Sequence, residues 1–319
     1  MQKRFVFARE ERPGEAWAAR FRAGRADAER WYRGEKRAAP PTPEECRAAV
    51  RQHMPELLAR YDEACSLLGD DQLGRCIVSH WRAGPLGGGC SQAVWLGAEG
   101  PALVRNYDYA LAAVTDRFES TQWLGPEVIA KAQRPWGGCI DGMNDDGLAG
   151  SLTFVSGPFG RGFSVLLMLR YVLETCRSVK EAVAALCRIP IAQPHNVTLL
   201  DRGGNYATLF LRPESEPAVT RNAVATNHQE KLRPTDSVLR RQALLRALEM
   251  PATLDSLTRR FFERPLFSRR PDSPTVYTAV YRPAEGRVDY LWPGQRRTQH
   301  LGRFNEGDYT HDYAQERMD

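Results

Sequence analysis

Residues 87–95 read GGGCSQAVW: three glycines run into Cys90, and a strand-like stretch follows. Two chemistries fit. In the first, Cys90 opens a strand as an inert buried thiol, the common fate of an intracellular cysteine. In the second, the Gly89–Cys90 peptide bond is broken and Cys90 becomes a new N-terminus. A cysteine with a free α-amine carries its own base, because such an amine titrates near ~8 and the thiolate is the nucleophile. Before the break the same nitrogen is an amide and cannot serve. The glycines let the backbone take the strained geometry in which the thiol reaches the preceding carbonyl.

Four other short stretches carry polar groups that could join this thiol. "VRNYDY" places Arg105, Asn106 and Asp108 on a second strand-like run. Alternation sends Asn106 and Asp108 to one face and Arg105 to the other, so both charges enter one site only through a twist or bulge at the strand end. A plain Arg–Asp pair on a polar strand edge is the alternative. Asn144 in "GMNDDGL" and Asn227 in "ATNH" sit where asparagine also favours turns for its own sake. Asparagine amides donate hydrogen bonds without titrating, as an oxyanion hole requires. His228 follows Asn227 and offers a thiol–imidazole dyad with Cys90. "DSVLRRQALL" holds Arg240 and Arg241, two registers of one helix, each as readily a solvated side chain.

The elements that must position these groups change character along the chain. Residues 1 to about 40 are rich in Arg, Ala and Glu and end in "AAPPTP". Thr42 reads as an N-cap, with Pro43 at the first helical position and Glu44 and Glu45 in the first turn. Helical periodicity continues to about residue 70, divided at Pro55. At "RCIVSHW" strands are expected to begin. "CSQAVWLG" and "PALVRNYDYAL" joined by "AEG" read as a hairpin, "GGCIDGMNDDGLAGSLTFV" as a second, and "NVTLLDRGGNYATLFL" as a third. Between them lie helices over "GFSVLLMLRYVLETC" and "SVKEAVAALCR", the latter with Ser178 and Glu181 as a capping box. Helices over "DSVLRRQALLRALE" and "ATLDSLTRRFF" precede a last hairpin, "TVYTAVYRPAEGRVDYLW", and a polar tail.

Hairpins make antiparallel sheets, and paired helices argue against a doubly wound parallel sheet. The order predicts an α+β layered architecture with sheets inside and helices outside. No GxGxxG sits between a strand and a helix, and "GPFGRG" lacks the Lys-Ser/Thr ending of a phosphate loop, so it reads as a turn.

Composition sets the limits. The chain has 319 residues, 42% of them hydrophobic, enough for a substantial core. Its net charge of +5 comes from scattered arginines, which argues against a nucleic-acid footprint. Seven cysteines at irregular spacing show no CxxC pair, and six histidines show no metal-ligand spacing. Reduced thiols in a cytoplasmic compartment are expected, with no metal or organic cofactor. The N-terminus lacks a signal-peptide pattern, and the longest apolar run, "FSVLLMLRYVL", is broken by Arg170.

Gly89-Cys90, "VRNYDY", "DGMNDDGLAG" and "ATNH", in that order, resemble the cysteine N-terminal nucleophile (Ntn) hydrolases. More narrowly they resemble the acyl-coenzyme A:isopenicillin N acyltransferases and their autoproteolytic relatives, with the choloylglycine hydrolases more distant. The resemblance covers roughly residues 75 to 295. It implies a four-layer αββα sandwich over 76–319, preceded by a mostly helical extension or pro-region over 1–75. It further implies self-cleavage into 1–89 and 90–319. Asp108 would orient the Cys90 amine or the substrate, Arg105 would favour the thiolate, Asn144 and Asn227 would line the oxyanion hole, and Arg240 would reach the site from its helix. Asp145-Asp146 stands where many relatives carry Asn-Glu-x-Gly, a small departure.

The expected activity is hydrolysis of a linear amide through a thioester. Acyl transfer to an amine, with acyl-coenzyme A as a co-substrate, is the alternative. An uncleaved enzyme using the Cys90–His228 dyad and a binding protein on the same fold are the others. The expected partner is a small-molecule amide, without nucleic acid or membrane. A homo-oligomer is compatible with the sequence, as is a lid, dimer contact or tail role for residues 1–40.

Overall fold

The computed structural model describes residues 1–34, 40–134, 137–229, 235–249 and 253–314. Strand β1 (Gln2–Arg9) opens the chain, followed by helices α1 (Glu15–Ala23), α2 (Arg25–Arg33), α3 (Pro43–His53), α4 (Leu58–Leu67) and α5 (Gln72–Ser79). Six strands follow: β2 (Gly89–Gly97), β3 (Gly100–Asp108), β4 (Arg117–Thr121), β5 (Val128–Ala132), β6 (Cys139–Asn144) and β7 (Leu148–Phe154). Helices α6 (Val165–Thr175) and α7 (Val179–Arg188) precede β8 (His195–Asp201), β9 (Tyr206–Leu211), β10 (Ala218–Thr220) and β11 (Val224–Ala225). Helices α8 (Asp236–Glu249) and α9 (Leu254–Arg260) lead to β12 (Arg269–Arg270), β13 (Ser273–Arg282), β14 (Arg287–Trp292), β15 (Gln295–His300) and β16 (Gly307–Asp312).

Two sheets form. One runs β10-β9-β8-β7-β6-β5-β4-β1-β16 and the other β11-β2-β3-β13-β14-β15, with β12 beside β13. Their inner faces pack on each other, β2 over β7 and β3 over β8. Helices α6 and α7 cover the outer face of the first sheet, and α8 covers that of the second. A separate apolar cluster, including Trp95, Val104, Leu244, Leu257 and Phe261, seals the second sheet to α8 and α9. The fold is an α+β four-layer αββα sandwich. Among the described strands every ladder is antiparallel except β1–β4. No helix of the described residues is long and apolar enough to cross a membrane.

Local signals set the helix starts. Thr42 Oγ1 accepts from Glu45 N at 3.2 Å while Glu45 Oε2 accepts from Thr42 N at 2.9 Å, a complete capping box. Ser178 accepts from Glu181 N, but the Glu181 carboxylate takes Arg177 N, so that box is closed one residue further out. Pro55 ends α3 and opens a short 3-10 turn before α4.

Four expectations are corrected. "RCIVS" is helical within α5, because Asp71 caps it by accepting from Gly74 N at 2.7 Å, and Cys76 and Ile77 are buried. The separation of residues 1–75 from the domain fails at the first strand: β1 lies between β4 and β16, with Phe5 and Phe7 in the core. The polar tail supplies β15 and β16 to the two sheets; residues 315–319 lie outside the described part. Strands β4 and β5 had no counterpart in the sequence reading. All but Arg117 of their residues are buried, so "RFEST" and "VIAKA" show no inside–outside alternation.

Candidate active site

The hairpin β2–β3 sets the geometry. Its register places Gly89 opposite Asp108, Cys90 opposite Tyr107, Ser91 opposite Asn106 and Gln92 opposite Arg105. Residues opposite each other point to the same face. Cys90, Gln92, Arg105 and Tyr107 therefore face the nine-stranded sheet. There Gln92 bonds Thr198 and Ser151, and Arg105 bonds β6. Ser91 and Asn106 face the helical side, where Asn106 Nδ2 donates to Phe261 O at 2.7 Å and Leu266 O at 3.1 Å.

This resolves the tension between Arg105 and Asp108. Arg105 shares the face of Cys90, and its Nη2 lies 3.1 Å from Cys90 Sγ. Asp108 lies on the opposite face at the strand end, where the missing side chain of Gly89 leaves room for its carboxylate. The two charges flank the Gly89–Cys90 unit from both sides without a bulge between β2 and β3.

Asn227 follows β11, which pairs with β2, and so lies against the start of the Cys90 strand. Its Oδ1 accepts from Cys90 N at 2.9 Å and from Arg240 Nη2 at 2.7 Å. Its Nδ2 donates to Phe154 O at 2.9 Å and Gly88 O at 3.4 Å. Arg240 is the helix arginine that enters the site. Its Nη1 donates to Cys90 O at 2.5 Å and Ser91 Oγ at 2.8 Å, and its Nε to Asp236 at 2.7 Å. Arg241 is half-buried and stands beside His228 at a separate small cavity.

Asn144 is not in this cluster, which corrects its expected place in an oxyanion hole. Its Nδ2 donates to Leu173 O and Cys176 O, both at 2.8 Å, and its Oδ1 accepts from Leu148 N at 2.8 Å. It ties the β6–β7 turn to the end of α6, and its polar atoms are spent there. His228 binds elsewhere too: Nδ1 meets Ser237 Oγ at 2.7 Å and Thr226 Oγ1 at 3.2 Å. Ser237 Oγ in turn accepts from Asn227 N at 2.8 Å, so His228 braces the asparagine.

Burial governs the titrating groups. It pushes the Cys90 thiol up, against the pull of Arg105. It pushes Asp108 up to about 6, against Arg240 and the Thr275 hydroxyl, which donates to Asp108 Oδ1 at 2.7 Å. Burial, with Arg241 and Arg240, lowers His228.

A cavity of about 860 Å³ opens onto this cluster, lined by Gly88, Gly89, Asp108, Phe154, Asn227 and Arg240, with Pro265 and Phe267 further out. All seven cysteines are free thiols. Among the described residues no group of three or more His, Cys, Asp or Glu is arranged to hold a metal ion.

The sequence reading missed Asp141, Tyr277, Tyr281, Thr275 and Ser237. Asp141 had a signal: one acid in the apolar strand "CID" must be buried and partnered. Tyr277 and Tyr281, four residues apart, share a face of β13.

A two-sheet sandwich with a Gly–Cys step at the head of an inner strand is the frame expected of the Ntn hydrolases and acyltransferases, enzymes acting on amides. Residues 95–297 match the family described as acyl-coenzyme A:6-aminopenicillanic acid acyl-transferase, and the chain belongs to that family. The match begins five residues after Cys90. No curated protein sequence matches the chain. Similar solved structures include a mutant conjugated bile acid hydrolase from Clostridium perfringens, at 13% identity and a TM-score of 0.46, covering 70% of this chain and 97% of that one. Penicillin V acylase from Agrobacterium tumefaciens is similar at 15% identity and 0.48, covering 66% and 84%. A Caenorhabditis elegans N-acylethanolamine-hydrolyzing acid amidase ortholog is similar at 15% identity and 0.47, covering 61% and 93%.

Proposed function

We propose that the protein is a cysteine amidohydrolase that first cuts itself between Gly89 and Cys90 and then cleaves linear amide bonds through a thioester. The observation that carries this reading is the convergence on one residue: Arg105 stands 3.1 Å from the Cys90 thiol while Asn227 accepts from the Cys90 nitrogen at 2.9 Å.

In maturation Cys90 Sγ adds to the Gly89 carbonyl carbon. The Gly89–Cys90 carbon–nitrogen bond breaks, and the nitrogen leaves with a proton as the new α-amine. Water hydrolyses the resulting thioester, giving a Gly89 carboxylate and a free Cys90 thiol. Asp108, beside Gly89 and held at about 6, is the group suited to carry the proton before the α-amine exists.

In turnover the freed amine takes the thiol proton, and the thiolate adds to the substrate carbonyl. The carbonyl oxygen becomes an anion. Asn227 Nδ2 keeps Phe154 O, and its second hydrogen, held only by Gly88 O at 3.4 Å, comes free when the cut end withdraws and supplies one donor to it; such a donor is worth about 10²–10³ in kcat. The ammonium returns its proton to the leaving amine, and a thioester remains. Water, activated by the same amine, releases the carboxylic acid and restores the thiol. Arg240 holds Cys90 O, Ser91 and Asn227 in one arrangement. Phe154, Pro265 and Phe267 offer the acyl part of a small amide an apolar wall.

The family's description supports a second reading, in which acyl-coenzyme A is a co-substrate and the thioester passes to an amine. Partition of the acyl-enzyme between water and an added amine separates the two. Neither route uses a metal or organic cofactor, and the seven free thiols suit a reducing, cytoplasmic setting.

The deciding test is the denatured intact mass of the purified wild type beside Cys90→Ala. Fragments 1–89 and 90–319 in the wild type, with the variant whole, are expected. A single uncut chain in both would remove the proposed base and sink the reading.

A further inference from the structure

Behind the thiol lies a buried charge network that joins the two sheets. Arg105 on β3 and Asp141 on β6 are both fully buried, with Arg105 Nη1 2.9 Å from Asp141 Oδ2. The same nitrogen donates to Ile140 O at 3.0 Å. Asp141 Oδ2 also accepts from Tyr277 OH at 2.6 Å, and its Oδ1 accepts from Tyr281 OH. Tyr281 OH in turn meets Tyr290 OH at 3.2 Å.

Neutralising a buried guanidinium would need only one carboxylate. Here the carboxylate takes three donors, and its position is thereby over-determined. A guanidinium is a rigid planar fork. With Nη1 pinned to β6 by Asp141 and Ile140 O, Nη2 is left aimed at Cys90 Sγ at 3.1 Å and at Asn106 O at 3.3 Å.

We propose that Asp141, gripped by Tyr277 and Tyr281, is a positioning residue that holds Arg105 against the Cys90 thiol and so sets the reactivity of the nucleophile. The inference rests on Cys90 being the nucleophile. Burial keeps Tyr277 and Tyr281 protonated far above their ordinary range, so both hydroxyls remain donors throughout the working range. Lys131 from β5, Cys139 from β6 and Tyr290 from β14 are the other titrating groups around Asp141. Tyr107 and Asp108 from β3 and Arg240 from α8 are those facing Cys90 besides Arg105.

An asparagine at 141 keeps the shape but not the charge: its amide nitrogen can meet Tyr281 only if that hydroxyl turns to accept, and its single oxygen holds Arg105 as a neutral acceptor, with a weaker hydrogen bond than a carboxylate makes. The grip on Arg105 then weakens and its aim at Cys90 loosens. The experiment is the pH dependence of iodoacetamide alkylation at Cys90, resolved from the other thiols by peptide mass mapping. The full protein is used as purified, comparing wild type, Asp141→Asn and Tyr281→Phe. The expected result for Asp141→Asn is a midpoint moved up by about one pH unit, the low end of what an adjacent charge imposes. Tyr281→Phe should move it the same way by less. Both should lower kcat on an amide substrate while leaving KM unchanged.

Loss of the carboxylate's charge alone would move the midpoint down. An unmoved or lowered midpoint in folded Asp141→Asn therefore overturns the assignment and leaves Asp141 as a counter-ion only. If that variant does not fold, Tyr281→Phe decides on the same criterion. An uncut wild type sinks the Cys90 reading itself, whereas a cut wild type with an unmoved profile sinks only the role of Asp141.

Discussion

Gly89 and Asp108 face each other across β2 and β3, and a Cβ at position 89 would stand 3.1 Å from Asp108 Oδ2. The carboxylate thus occupies the space that a side chain at 89 would claim, on the peptide unit proposed to break. Gly88, just before it, has φ +120°, and a Cβ there would meet the Asp108 carbonyl at 2.8 Å. Gly87 has nothing within 4 Å of such a Cβ. Gly89→Ala should accordingly slow self-cleavage by about tenfold, the effect of roughly 1.4 kcal/mol on the barrier. Gly87→Ala should leave it unchanged. A time course of intact mass after expression checks this, and equal rates for the two variants would count against the role of Asp108 at the bond.

Asp108 also links stability to pH. Its carboxyl titrates at about 6 in the folded chain because burial disfavours the charged form. Unfolded, it titrates near ~3.9. The folded state therefore binds the proton more tightly, and its contribution is complete below about 4 and lost as pH rises through about 6. The swing is at most about 3 kcal/mol. In the uncut Cys90→Ala background, the parent's stability minus that of its Asp108→Asn variant, followed by thermal unfolding across that window, should fall with rising pH. A flat or rising difference would show that the carboxyl is not held up.

Asn144 and Asn227 should separate cleanly. Asn144→Ala strands the Leu173 and Cys176 carbonyls and the Leu148 amide, at a cost of about 2–4 kcal/mol of stability. Its activity per folded molecule should be unchanged. Asn227→Ala strands Cys90 N and the Phe154 carbonyl, so it too should cost stability, but it alone should lower kcat per folded molecule, by about 10²–10³. Unfolding curves and active-site-titrated rates read both, and a chemical defect in folded Asn144→Ala would restore it to the site.

The fragment 1–89 should stay bound after cleavage. Strand β1 pairs with β16 on one side and β4 on the other. Phe7 stacks on Phe118 at 4.7 Å, and Phe5 packs on Trp292 at 5.4 Å. Each buried ring contributes about 1.5–3 kcal/mol. The two pieces should co-elute in native size-exclusion chromatography and part only in denaturant. Separation under native conditions would mean that β1 is dispensable to the sheet.

Much of this was legible in the chain. The hairpins over 89–108, 139–154 and 195–211 were announced by alternation and by turn residues between the runs. The Thr42 N-cap needed only its own four residues, and the structure completes it as a capping box. Cys90 stands out through the glycines before it, whereas Asp108 and Asn227 are picked out only by the family resemblance of the motifs around them. The turns, the helix cap and the glycine run are local properties, and local physics writes them into neighbouring residues.

What the sequence by itself determined is therefore which segments become strands and helices, and which residues alternate to which side. Only the tertiary structure decided what each side meets. Strand phase placed Arg105 and Asp108 on opposite faces, and stacking of the two sheets then carried one to the thiol and left the other over Gly89. The same stacking brought Asp141 and Tyr277, 136 residues apart, to one guanidinium. It also drew the first strand and the last into neighbouring places. Such contacts depend on closing long loops around a shared core, and no window of adjacent residues carries that information. Asn144 shows the same limit from the other side: its residue type fits an oxyanion hole as well as a turn, and only the nearby end of α6 chose the turn.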